Sequence, residues 1–419
     1  MTSILFGLFF SLLILGVPVA FVIAISSIGA IYYIDLPIEL LAQRFFTALD
    51  SFSLMAIPLF MLAGAIMSHG GITRRIIDFA LSIVGGLRGA LSQVVSVSGV
   101  MLAGVSGSGV ADTAALGSIM VPEMKKRNYD PGFSAALVAS AGSIGLIIPP
   151  SIALIVYGAS SQASIGDLFM AGIIPGILIA IGFMVYCYFI ARIKNYPKEG
   201  SFSWANVWKN FKSAFWALLM PLIIIVGIRG GIFTATEGGA IVSVYALIIG
   251  VFVYKEIKIK DFAKIFYEAA LGTAVITSII AATSLFGWLL TSEQIPQKVT
   301  NALLSVTDNR TIIILILIGL LLVVGMFLDS SPAILLLTPI LVPVATSLGI
   351  DLVQFGIVMV ISLTVGLLTP PVGTAMYVAS NISKVPILEL SRKLIPFWII
   401  MIFITILVAF VPAITNLLY

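Results

Sequence analysis

The chain has 419 residues, 60% of them hydrophobic and only 10% charged, with a mean hydropathy of +1.18. That composition is not one of a soluble globular protein, the net charge of +4 needs no nucleic acid to explain it, and a lone Cys187 excludes a disulfide framework or a cysteine metal cluster. Many apolar runs reach the ~20 residues that a helix needs to cross ~30 Å of hydrocarbon, so the expected class is an all-α polytopic membrane protein embedded in a lipid bilayer.

In chain order, crossings are expected at 4–31, 51–70, 132–160, 166–193, 214–230, 236–254, 268–290, 352–380 and 394–416. The first lacks a basic n-region and a clear cleavage site, so it reads as a crossing rather than a signal peptide. Amphipathic stretches at 35–50, 71–84, 255–266 and 293–306 are expected to lie along the interface as arms, with Trp204, Trp208 and Trp216 anchoring the central linker. Two apolar stretches do not fit a simple crossing. Residues 88–126 break at Gly104-Val-Ser-Gly-Ser-Gly109 between basic flanks, Arg88 and Lys125-Lys126-Arg127, and so predict a re-entrant hairpin with both ends on one side. Residues 311–346 break at Gly325-Met-Phe-Leu-Asp-Ser-Ser-Pro332 and predict a second hairpin.

These segments repeat. Gly145-Leu-Ile-Ile-Pro-Pro-Ser151 returns 221 residues later as Gly366-Leu-Leu-Thr-Pro-Pro-Val372, and the offset holds without a gap from 104–175 to 325–396. Of 12 identities in those 72 positions, seven are Gly, Pro or Asp, whereas chance identities in so apolar a chain would fall mostly on Leu, Ile, Val and Ala. The mate of Lys125-Lys126-Arg127 is the uncharged Thr346-Ser347-Leu348, so the second hairpin is expected to open to the opposite side. Four crossings and a hairpin per repeat, with one extra helix between them, make the repeats inverted. With a cytoplasmic N-terminus and a periplasmic C-terminus, all Lys and Arg except Arg44, Arg229, Lys298 and Arg310 fall inside. The expected divisions are first scaffold helices and arms (1–87), transport repeat 1 (88–193, hairpin 88–126, broken helix 132–160), linker and second scaffold (194–310), and transport repeat 2 (311–419, hairpin 311–346, broken helix 352–380).

Backbone groups freed by Pro149-Pro150 and Pro370-Pro371 cannot face hydrocarbon, and a hairpin tip beside a broken helix supplies an ion site. In the first repeat the oxygens of Ala103, Ser106, Gly145, Ile148 and Pro150 are candidate ligands; in the second, those of Gly325, Leu328, Gly366 and Thr369. Hydroxyls and carbonyls with little formal charge suit Na⁺ rather than a divalent ion. Ser108 and Asp329 occupy equivalent positions in the two tips and are candidate substrate contacts, with Asp112 a further candidate for substrate or for capping its helix. Glu237 has capping-box spacing from Thr234.

An intramembrane serine hydrolase using Ser106 or Ser108 would need His69 or a Lys as base, yet His69 belongs at the cytoplasmic end of another helix. Ser106-Gly-Ser-Gly109 lacks the Gly-Lys-Ser/Thr of a Walker motif, so ATP is not the direct energy source and no enzyme is expected.

Gly104-Val-Ser-Gly-Ser-Gly-Val-Ala-Asp112, Gly145–Ser151, Gly231-Ile-Phe-Thr-Ala-Thr-Glu237 and Gly366-Leu-Leu-Thr-Pro-Pro-Val-Gly373 together resemble the large membrane (M) subunit of tripartite ATP-independent periplasmic (TRAP) transporters, across essentially the whole chain. One departure is Ala235, where the family often has Pro. The resemblance implies an elevator-type importer of organic acids driven by Na⁺ as coupling ion, in a bacterial or archaeal inner membrane. It also implies two partners, a small membrane (Q) subunit and a periplasmic substrate-binding (P) protein. The helix N-termini after residues 109 and 331 would attract a carboxylate, while Asp329 would repel a second one, which favours a hydroxylated sugar acid such as sialic acid over a C4-dicarboxylate. A proton-coupled carrier and a channel are the alternatives.

Overall fold

The computed structural model describes residues 1–37, 39–200, 202–307 and 309–418, and every regular element among them is helical. In chain order these are α1 (Thr2–Ile14), α2 (Val19–Tyr33), α3 (Glu39–Leu49), α4 (Ala56–His69), α5 (Ile72–Val84), α6 (Ala90–Ser106), α7 (Gly109–Lys126), α8 (Pro131–Ser143), α9 (Ile152–Ser161) and α10 (Ile165–Ile193). There follow α11 (Trp204–Arg229), α12 (Ala235–Ile248), α13 (Ile259–Ser292), α14 (Ile295–Val306), α15 (Arg310–Phe327), α16 (Ser330–Ser347), α17 (Leu352–Gly366), α18 (Thr374–Ser383) and α19 (Ile387–Phe410). Among the described residues eight helices, some extended by flanking 3-10 or π turns, are long and apolar enough to cross a membrane.

Glycine, proline and capping residues set the boundaries. The α6–α7 pair turns at Gly107–Ser108 and the α15–α16 pair at Leu328–Asp329; α8 gives way to α9 across Pro149-Pro150, and α17 to α18 across Pro370-Pro371. Elements of the two halves recur at the sequence offset: α7 spans 109–126, and adding 221 to each bound gives 330–347, the span of α16. Asp130 caps α8 by accepting the Phe133 N–H (3.0 Å), and its mate Asp351 caps α17 by accepting those of Val353 (2.9 Å) and Gln354 (3.1 Å). At α12 the Thr234–Glu237 capping box forms as its spacing predicts.

α8 and α17 are buried all round, from Gly132 to Ser143 and from Val353 to Gly366, and so form the centre of the molecule. The two halves interlock there. Tyr157 donates to the Leu352 carbonyl (2.7 Å), the Phe183 and Phe397 rings meet at 5.1 Å, and Lys393 Nζ donates to Asp130 Oδ2 (2.8 Å). Around this centre α13 packs on α2, α3 and α4, α12 packs on α4, and α5 packs on α11.

Three expectations need correction. The first crossing, 4–31, is two helices: Gly16 at φ +76° and Pro18, which has no N–H, end α1, and the Val17 N–H turns back to the Leu12 carbonyl (3.1 Å). The helices are antiparallel, since a Cβ on Gly29 would strike the Leu8 side chain, and each is only about 20 Å long. The extra reversal changes the crossing count by one. Thr2 Oγ1 donates to Glu293 (2.8 Å), and the Arg44 guanidinium lies 5.1 Å from the Trp288 ring at the same end of α13. α3 leads from there to Ser51, which shares a cavity with Leu418. Thr2 and Leu418 therefore lie at one end of the molecule, not at opposite ends. The third correction concerns 255–266. It is no separate arm, because residues from Ile259 onward begin the 34-residue α13, whose ~50 Å exceeds the hydrocarbon thickness.

Burial pushes the Asp130 carboxyl up, but the hydrogen bonds from Lys393 and Phe133 outweigh it and hold the group below its usual range. Its contribution to stability is thus complete above the ordinary carboxylate pKa and is lost as pH falls through the depressed one. Asp130→Asn keeps the helix cap, and is expected to cost about 1 kcal/mol near neutral pH for so partly exposed a pair, with the gap in thermal midpoint closing only below the ordinary carboxylate range. A gap that persists unchanged in acid contradicts the ion-pair account. In a Cys187→Ser background, Thr2→Cys and Ser347→Cys should react with an impermeant thiol reagent from one membrane face, and Lys126→Cys from the other. Reaction of Thr2→Cys from the Lys126 face contradicts the antiparallel α1–α2 pair.

Candidate functional site

Each hairpin tip is tied by backbone to the broken helix of its own half. In the first, the Ile152 N–H donates to the Gly107 carbonyl (3.3 Å); in the second, the Val372 N–H donates to the Met326 carbonyl (3.1 Å). Small residues permit this approach. Gly107 has φ +65°, and a Cβ there would strike the Pro150 carbonyl; Gly325 and Gly366 lie backbone to backbone, so that a Cβ on Gly325 would sit 3.1 Å from the Gly366 Cα and 3.2 Å from the Leu363 carbonyl oxygen.

The structure therefore brings several of the proposed cation ligands of each half close to one junction. At the first, Ser106 ends α6, Gly145 lies against Asp112 and the Pro150 carbonyl abuts Gly107, while Ala103 and Ile148 are the chain neighbours of Gly104 and Pro149, and Gly104 packs closely on the Pro221 side chain. At the second, Gly325 touches Gly366, Leu328 forms the tip, and Thr369 immediately precedes the proline pair with its hydroxyl donating to the Val365 carbonyl (2.8 Å). No helical partner is available to every carbonyl in the breaks, and hard oxygen with little charge is what an alkali cation binds.

Both tips open on one cavity of about 1140 Å³. Gly107–Val110 form one wall and Asp329–Pro332 another, while the α13 face from Glu268 to Ala282 and the turn into α2 from Pro18 to Phe21 close the opposite side. Ser108 and Asp329 thus share a cavity, as their equivalent positions predict. Ser108 also caps α7, accepting the Ala111 N–H (3.4 Å), and Asp329 caps α16, accepting the Ser330 N–H (3.0 Å). Asp112 is elsewhere. It is buried behind the first tip, absent from the cavity wall, with Oδ1 accepting from Ser106 (2.6 Å) and Oδ2 against Gly145. The sequence offered it for substrate or for capping because it lies just past the first tip; the packing of α7 on α8 turns it inward.

Glu268 is a cavity residue that the sequence reading missed. It lies on α13, paired with His69 Nε2 (2.9 Å) and within 3.9 Å of Lys264. A carboxylate inside an apolar helix was the signal available. Glu268 and Asp329 are the charged side chains among the described residues lining the cavity. As for a nucleophile, the Ser106 hydroxyl is committed to Asp112 and accepts the Ser108 N–H (3.2 Å), while His69 is taken by Glu268.

Residues 6–414 match the family model described as "Tripartite ATP-independent periplasmic transporter, DctM component". The chain is 40% identical over 418 residues to the isethionate TRAP transporter permease protein DctMQ of Oleidesulfovibrio alaskensis, covering 98% of this chain but 65% of that longer protein. It is 38% identical to the sialic acid TRAP transporter large permease SiaM of Vibrio cholerae (100% of this chain, 98% of that one) and 36% identical to the C4-dicarboxylate large permease DctM of Rhodobacter capsulatus (98% and 97%). Among solved structures, the YdaH transporter of Alcanivorax borkumensis shares the fold, with a TM-score of 0.59 at 14% identity over 88% of this chain and 86% of that one.

The Gly325–Gly366 contact leaves no room for a methyl group. Gly366→Ala is expected to push the second hairpin off its broken helix, costing roughly 1–3 kcal/mol and most of the transport activity. Gly319→Ala, in open space on α15, should leave both unchanged. Equal thermal midpoints and equal uptake for the two variants contradict the junction.

Proposed function

Because the chain belongs to the DctM-component family of tripartite ATP-independent periplasmic transporters, we propose that it is the large permease subunit of a Na⁺-coupled importer of an organic acid. The observation that carries this reading is the single cavity faced by two hairpin tips, each bonded through its backbone to the broken helix of its own half. Cations at the junctions would supply the positive charge that the cavity's described side chains lack, and the substrate would be held between Ser108 and Asp329. Relatives at similar identity are named for isethionate, sialic acid, C4-dicarboxylates and 2,3-diketo-L-gulonate, so similarity does not choose among them. Asp329 does. A carboxylate in the wall disfavours a second carboxylate on the substrate and favours hydroxyl or amide groups, as in a sugar acid such as sialic acid.

The halves read as inverted repeats. Asp130, at the open end of the first hairpin, meets Lys393 near the start of α19, whereas Gln354, at the open end of the second, donates to the Val408 and Ala409 carbonyls at the far end of that helix. With the Lys- and Arg-rich loops in the cytoplasm of a bacterial or archaeal cell, Thr2 lies at the periplasmic face of the inner membrane. Transport follows as an elevator motion in which α6–α10 and α15–α19 slide as one body along α13 and its neighbours, carrying both tips. A periplasmic binding protein would deliver the substrate and a small membrane subunit would brace the frame; the DctMQ relative is longer than this chain, which accords with a fused partner.

Uptake into proteoliposomes holding the permease and its small subunit, with the cognate binding protein outside, tests the reading. With radiolabelled N-acetylneuraminate and succinate as probes, the former should be taken up saturably and only with an inward Na⁺ gradient. Asp329→Asn should raise the KM about tenfold, the loss of one good polar contact, while residual uptake keeps its Na⁺ dependence. Unsaturable flux indifferent to Na⁺ would mark a channel, and loss of Na⁺ dependence at an unchanged KM would move Asp329 to the cation machinery.

A further inference from the structure

Each half carries a carboxylate just beyond its hairpin turn, yet the two face opposite ways. Asp329 belongs to the cavity wall. Asp112 points away from it, is 2% exposed, and presents Oδ2 with no hydrogen-bond donor directly against Gly145, at the junction of the first tip with the first broken helix. A buried carboxylate oxygen left without a donor costs several kcal/mol unless a proton or a positive charge reaches it, and no Lys, Arg or His side chain among the described ion pairs serves Asp112. Its other oxygen holds the Ser106 hydroxyl hydrogen (2.6 Å), which turns a lone pair of that hydroxyl outward as a ligand. The second junction has nothing comparable: the position equivalent to Asp112, 221 residues on, is Ala333, a buried methyl group.

We propose that Asp112 is the charge partner of the cation at the first junction and makes the two Na⁺ sites unequal, the first binding more tightly than the second. This rests on the Na⁺-coupled reading above. The carboxylate acts through Ser106 and through direct attraction across Gly145, so it is a positioning and charge-compensating residue rather than a substrate contact. The second junction, served by backbone and hydroxyl oxygens alone, fills at higher Na⁺.

Thermal unfolding of the purified full chain, titrated with NaCl against choline chloride at constant ionic strength, reads both sites without transport. The wild type should gain stability in two phases. Asp112→Asn keeps the shape and still accepts the Ser106 hydrogen, so a purely structural role predicts no change. The proposal predicts that the first phase moves about tenfold or more to higher Na⁺ while the second stays in place. Asp112→Glu, which keeps the charge, should retain a distinct first phase, and it carries the test if the Asn variant does not fold. Two wild-type phases preserved in Asp112→Asn, or lost in Asp112→Glu, overturn the proposal alone. A wild type that responds no differently to Na⁺ than to choline overturns the Na⁺ reading and the proposal with it.

Discussion

Pro149-Pro150 and Pro370-Pro371 release backbone N–H and C=O groups from the helical ladder where the surroundings are apolar, and the arrangement of the centre follows from the need to partner them again. Water is not freely available at that depth, so the partner has to be protein or an ion. The hairpin tips meet part of the demand: Gly107 and Met326 offer carbonyls to Ile152 and Val372. That exchange requires backbone to approach backbone, which is why Gly107, Gly325 and Gly366 stand where they do. On the proposed reading, the junction oxygens that this exchange leaves free would face a cation. A structural need of the break and the chemistry of the site therefore have one origin.

The same constraint accounts for the division of the molecule. A tip bonded to its broken helix cannot move without it, and Tyr157, Lys393 and Phe397 tie the two halves into one body. The surface that this body turns toward α13 is held differently. Leu271, Val275 and Ala282 of α13 present an apolar wall to the cavity in front of the tips, and a surface that offers no hydrogen bonds opposes sliding less than one that does. In the proposed elevator, the burial of α8 and α17 all round would stiffen the moving part, and the arms α3 and α5, packed on α13 and α11, would belong to the frame.

The features legible in the sequence are those whose cause is local. Gly-Ser-Gly at a hairpin turn, a proline pair in a break, Asp130 and Asp351 as caps and the Thr234–Glu237 box each act within a few residues, and the 221-residue offset exposed them twice. Features set by packing were not legible. The first apolar run carried Gly16 and Pro18, but a proline can kink a crossing as readily as end it, and only the contact of Gly29 with Leu8 decides for an antiparallel pair. That choice moved Thr2 to the other end of the molecule. Asp112 lies in the first turn of α7, a capping position by sequence; the direction of its carboxylate depends on how α7 is rotated against α8. Glu268 faces the cavity because α13 runs unbroken through Ile259–Ser292, a continuity that its amphipathic first turns disguised.

The central claim is that one substrate molecule is held between the two tips, and a double-mutant cycle on Ser108→Gly and Asp329→Asn tests it most directly, since glycine preserves the α7 cap. Measured as the KM for the transported acid, the two changes should be non-additive by about 1 kcal/mol or more if a single molecule spans both side chains. Additive effects would contradict the shared site and leave the tips acting separately.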